Sequence, residues 1–154
     1  MRHVNCVRLR VIRPVFEELA INDESEKYFH DNSITNSRDI YELFSYLSKE
    51  TKEYFISIHL DTKNRIICID TISVGSLTGS LVHPREVFKS VLLSSAASIA
   101  IVHNHPSGTP EPSRDDINIT KRLKEAGDFL GIPVIDHIII GNGCYISLIE
   151  KGYL

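Results

Sequence analysis

The run SIAIVHNH, residues 98–105, narrows most what this chain can become. It is apolar from Ile99 to Val102 and stopped by Pro106, the pattern of a strand buried on both faces. Such a strand needs elements packed above and below it, and the flanking sequence offers them. Pro84 stands at the head of PREVFKSVLLSS, where its missing N–H costs nothing, and Val87, Val91 and Leu92 give that helix an apolar side. After the irregular loop SGTPEP, Ser113 opens a second helix through Ile117, Thr120, Leu123 and Lys124, with Gly127 near its end.

The remaining segments complete an α/β (α+β) domain. Ser37 can cap a helix carrying Ile40, Leu43, Phe44 and Leu47 that ends around Lys49. EYFISIHLD and RIICIDTISVG form a hairpin about the turn Asp61-Thr62-Lys63-Asn64, and PVIDHIIIGNGCYISLIE forms another about Gly141-Asn142-Gly143. Helices between strands, with hairpins at both ends, indicate a curved mixed β-sheet flanked by helices.

The N-terminal residues read differently. Val7, Leu9 and Val11 alternate with Arg8 and Arg10, a strand pattern with a basic face that Arg13 extends. An acidic, polar stretch without periodicity follows, so residues 1–31 read as a basic strand and linker or arm, and residues 32–154 as the domain. The net charge of −3 excludes a uniformly basic coat and confines any nucleic-acid contact to a local patch such as this one. Cys6, Cys68 and Cys144 are odd in number and widely spaced, encoding neither a disulfide framework nor a thiolate zinc cage. With no signal-peptide core and no membrane-spanning run, a cytoplasmic protein without membrane contact is expected.

Chemistry concentrates in HNHPSGTPEPSRDD. Alternate side chains of an extended segment leave one face, so His103 and His105 point toward a common spot at the end of the buried strand. Asp116, eleven residues beyond His105 in the first turn of the next helix, can be brought back to the same place by the loop. Two imidazoles and one carboxylate suit Zn²⁺, and three protein ligands leave a fourth position for water. The same residues also have plain structural readings: histidines serve as ordinary core or surface side chains, and Ser113-x-x-Asp116 is a helix capping box.

His103-Asn104-His105-Pro106, seven intervening residues, and then Ser113-Arg114-Asp115-Asp116 resembles the signature of the JAB/MPN (JAMM) zinc metalloproteases, H-[ST]-H-P followed by S-x-x-D at the same spacing. Asn104, where the eukaryotic members carry Ser or Thr, and the string HNHPSG point to the RadC-like branch. Val82 to Glu86, Gly108, and Asp136-His137 followed by Ile138 to Gly141 agree, and the likeness covers residues 36–154. It implies a three-layer, cytidine-deaminase-like architecture, and a short domain-only form, because residues 1–35 do not resemble the helix-hairpin-helix region of longer RadC-type proteins.

The resemblance also implies a mechanism. His103, His105 and Asp116 would be the zinc ligands. Glu53, at the start of EYFISIHLD, matches the family's general base, with Glu86 as its rival. Ser113 would hydrogen-bond the oxyanion of the tetrahedral intermediate. The expected activity is hydrolysis of a peptide or isopeptide bond in a peptide or protein substrate. Two alternatives stand beside it: a nucleic-acid-associated protein, as the DNA-repair label of RadC-like proteins suggests, and a zinc-bearing but inactive interaction module. The contiguous HNH is not the HNH-nuclease arrangement, in which the three residues come from separate elements.

Asp136-His137 lies in a strand, so one side chain is expected to be buried and the other exposed, with either able to stand behind a metal ligand. His83 reads as a turn residue, Cys144 as a buried apolar thiol.

Overall fold

The computed structural model describes residues 15–17, 33–75 and 82–154. The Arg8, Arg10 and Arg13 face and nearly all of the acidic stretch lie outside the described residues. Five strands form one mixed sheet in the order β2-β1-β3-β4-β5: β1 Glu53–Leu60, β2 Ile66–Gly75, β3 Ser98–Asn104, β4 Val134–Ile140 and β5 Tyr145–Ser147. β1 runs antiparallel to β2 and β3, β3 parallel to β4, and β4 antiparallel to β5. A parallel pair requires a crossover, and α3 (Arg114–Leu130) supplies it between β3 and β4.

The period-2 rule divides the core in two. Ile56, Ile58, Ala100, Val102, Ile138 and Ile140 pack with Ile40 and Phe44 of α1 (Ser37–Phe44) and with Leu47 on one face of the sheet. Phe55, Ile99, Ile101 and Val134 pack on the other face with Val87, Phe88 and Val91 of α2 (Pro84–Leu93) and Leu123 of α3. The result is the expected three-layer α/β arrangement, with β3 at the centre and every one of its residues buried.

Several boundaries differ from the sequence expectation. Asn36, not Ser37, caps α1, through a reciprocal box with Asp39, while Ser37 is buried and donates to Glu150. The helical stretch does reach Lys49, but it tightens into a 3₁₀ helix from Ser45. α3 runs past Gly127 to Leu130 and ends on Gly131 in the left-handed conformation that favours glycine. Gly127 lies inside the helix because a Cβ there would stand 2.4 Å from the Ile132 carbonyl oxygen. Cys144 is exposed in the turn between β4 and β5 rather than buried. Asp136 and His137 are both buried, since both faces of β4 are covered: His137 meets Thr120 of α3, and Asp136 accepts hydrogen bonds from Ser147 and from the Ile149 N–H.

Candidate metal centre

The site forms where β3 ends and α3 begins, the place where a crossover leaves a crevice at the carboxyl end of a strand. His103 is fully buried in β3, opposite Phe55 of β1, whose ring lies 5.9 Å away centroid to centroid. His105 follows just beyond the strand. Its N–H donates to the Ile140 carbonyl (2.9 Å), and its Nδ1 meets the Thr109 carbonyl oxygen at 2.8 Å. A carbonyl only accepts, so Nδ1 carries a proton and Nε2 turns inward.

Asp116 is the third residue of α3. Its Oδ2 accepts from the Ser113 N–H (2.7 Å) and hydroxyl (2.6 Å), and Ser113 Oγ accepts in turn from the Asp116 N–H (3.1 Å). This reciprocal cap delivers the carboxylate into the crevice. His103 Nε2 and His105 Nε2 are 2.9 Å apart, and the Asp116 oxygens lie 3.3 Å and 3.4 Å from them. One donor atom from each residue lies within 4.8 Å of the other two.

The electrostatics agree with this crowding. Burial lowers the His103 imidazole to about 4, against the pull of Asp116. His105 is raised, first by its hydrogen bond with Asp116, with Glu53 contributing. Burial opposes the Asp116 charge, but contacts from His105, His103 and Ser113 outweigh it and hold the carboxyl well below its usual range.

Glu53 begins β1 on the same face as Phe55, and therefore on the face of His103. Its charge acts on His105. Glu86, the rival base, is half-exposed on α2 and engaged by Lys89 (2.9 Å) and Arg85 (3.3 Å). The Ser113 hydroxyl proton is committed to Asp116, so here the residue serves as a cap. His83 caps α2, accepting from the Arg85 N–H.

Three further residues join the site: Asn104 and Thr120, to which the sequence reading gave no role there, and His137, which it offered as a residue behind a metal ligand. Asn104, buried between the two histidines, accepts from the Tyr54 N–H (2.8 Å) and donates to the Lys52 carbonyl (3.0 Å), gripping the backbone on both sides of Glu53. His137 Nε2 meets His103 Nδ1 at 2.7 Å, and His137 Nδ1 meets Thr120 Oγ1 at 2.6 Å. The spacing of Thr120, four residues after Asp116, puts it on the same helix face, a signal visible in the sequence once the helix is placed.

Known proteins match this chain closely. A UPF0758 protein of Caldanaerobacter subterraneus is 50% identical over 152 residues, covering 96% of this chain and 62% of its own. One from Methanosarcina mazei is 52% identical over 122 residues, 79% of this chain and 53% of its own, and one from Shouchella clausii 56% over 102 residues, 66% and 44%. The chain therefore spans between 44% and 62% of the length of these relatives. The RadC-like JAB domain matches residues 34–153, and the chain belongs to that family.

Proposed function

We propose that this domain is a zinc-dependent hydrolase of peptide or isopeptide bonds. The observation that carries the reading is the convergence of His103 Nε2, His105 Nε2 and an Asp116 carboxylate oxygen on one spot beside Glu53. The donor set fits the ion: imidazole and carboxylate are its usual non-thiolate ligands, and with Nδ1 held by the Thr109 carbonyl, Nε2 is the His105 nitrogen that faces inward. When bound, Zn²⁺ supplies Lewis acidity and makes water acidic near neutral pH.

The protein's own groups do the rest. Glu53 takes a proton from the water that attacks the carbonyl carbon and returns it to the leaving amine. Ser113 contributes by turning its hydroxyl from Asp116 to the developing oxyanion, worth on the order of 10²-fold in rate. Phe55 and the walls of the crevice around His103 keep bulk water from the buried ligand.

Zinc content and peptide cleavage of single variants test the assignment. His103→Ala, His105→Ala and Asp116→Ala should lose the ion, while Glu53→Gln should keep it and lose turnover. Full zinc occupancy in His105→Ala, or parental rates in Glu53→Gln, would contradict the ligand set or the base. Stoichiometric zinc with no turnover on any peptide or isopeptide would favour the interaction-module reading. Salt-sensitive DNA binding abolished by neutralising Arg8 and Arg10 would favour the nucleic-acid reading.

A further inference from the structure

We propose that Thr120 and His137 are positioning residues that fix the tautomer of His103, so that its Nε2 presents a lone pair to the site before any ion arrives. The inference rests on the zinc reading only for its consequence, since the tautomer itself follows from hydrogen-bond direction. Thr120 Oγ1 contacts the Asp116 backbone carbonyl oxygen at hydrogen-bond distance. A carbonyl oxygen can only accept, so the one hydroxyl proton of Thr120 lies in that contact.

The next link is then determined. His137 Nδ1, 2.6 Å from Thr120 Oγ1, must donate, because the hydroxyl has no proton left to give. His137 is fully buried and has no carboxylate hydrogen-bonded to either ring nitrogen among the described residues, so the ring is neutral and Nε2 is an acceptor. His103 Nδ1, 2.7 Å from that atom, must donate to it. A neutral His103 with its proton on Nδ1 leaves Nε2 bare, 2.9 Å from His105 Nε2 and 3.3 Å from Asp116 Oδ1.

The chain of direction starts at the backbone of the residue that also supplies the carboxylate. One turn of α3 thus contributes twice: the Asp116 side chain faces the site directly, and its carbonyl oxygen acts through Thr120, His137 and His103. Without the relay, the buried His103 proton has no acceptor on the Nδ1 side and moves to Nε2, where it must be expelled before an ion can bind. Partners behind a metal-binding histidine are worth about 10–100-fold in affinity, and a loss in that range is expected here.

Nitrogen-15 NMR of the metal-free protein reads the tautomer directly. The expected result is a neutral His103 protonated on Nδ1; a proton on Nε2 would overturn the proposal. Zinc affinity, measured by competition with a chromogenic chelator, supplies the second readout. Thr120→Val should weaken zinc by about 10–100-fold while Thr120→Ser, which keeps the hydroxyl, stays within about threefold of the parent. A folded Thr120→Val protein with parental affinity would refute the relay. If Thr120→Val fails to fold, His137→Gln, which keeps an acceptor for His103 Nδ1, should bind zinc more tightly than His137→Phe, and equal affinities would count against the proposal. A parent protein that binds no zinc but holds His103 protonated on Nδ1 would sink the proposed function and leave the relay standing.

Discussion

Replacing Asn104 with alanine tests how Glu53, the proposed base, is held. The Asn104 amide is 1% exposed and makes two hydrogen bonds, accepting from the Tyr54 N–H at 2.8 Å and donating to the Lys52 carbonyl at 3.0 Å. The two groups bracket Glu53, so the side chain acts as a clasp on the peptide that carries the carboxylate. A partly solvated hydrogen bond is worth about 0.5–1.5 kcal/mol net, so with two of them removed Asn104→Ala should lose about 1–3 kcal/mol of stability. A displacement of the base by about 1 Å costs about 10²-fold in rate, so turnover should fall about 10–100-fold. Zinc content should remain stoichiometric, because the donor atoms come from His103, His105 and Asp116. Urea unfolding, zinc content and hydrogen exchange at the Tyr54 amide measure the three consequences without needing a substrate. Unchanged stability with unchanged protection of that amide would refute the clasp.

Other residues give sharper contrasts. Gly141→Ala places a Cβ 2.5 Å from the Gly108 carbonyl oxygen and 2.8 Å from Pro110 Cδ, displacing the loop whose Thr109 carbonyl orients His105; zinc affinity should fall about tenfold by chelator competition. Glu86→Gln should leave zinc content and turnover intact and the midpoint of a denaturant titration essentially unmoved, because its ion pairs are exposed and screened by solvent. Burial lowers the His59 imidazole to about 4 against the opposing influence of Asp70, and its Nε2 has no hydrogen-bond partner among the described residues. The unfolded chain then binds the extra proton between about pH 6.5 and 4. Stability should be constant with respect to this group above that window and decline as pH falls through it. His59→Leu should flatten that part of the profile, and an unaltered slope in pH-dependent unfolding would exclude His59 as its source.

The layered fold was legible because burial and period coincide. Residues 99–102 had the pattern of a strand covered on both sides, and Pro84 and Ser113 marked helix starts that the structure keeps within a residue. The HxH spacing carried the convergence of His103 and His105, since residues two apart in extended backbone share a face, and the chain stays extended for one residue past the end of β3. What was not legible depended on neighbours remote in sequence. Asn104 shows its role only when β1 lies beside β3, which brings it against Lys52 and Tyr54. His137 and Asp136 were expected to split between inside and outside, but alternation decides direction, not exposure, and both faces of β4 are covered. Cys144 failed the reverse way: an apolar neighbourhood in sequence became an exposed turn. The Ser113 cap and the inward-facing Asp116 carboxylate, two compatible readings of one motif, occur together, since the cap is what aims the carboxylate.

Anomalous diffraction at the zinc edge from crystals of the purified protein asks the central question most directly. The account predicts one strong peak bounded by His103 Nε2, His105 Nε2 and an Asp116 oxygen. No peak there after soaking in zinc, with the three side chains still converged, would contradict it.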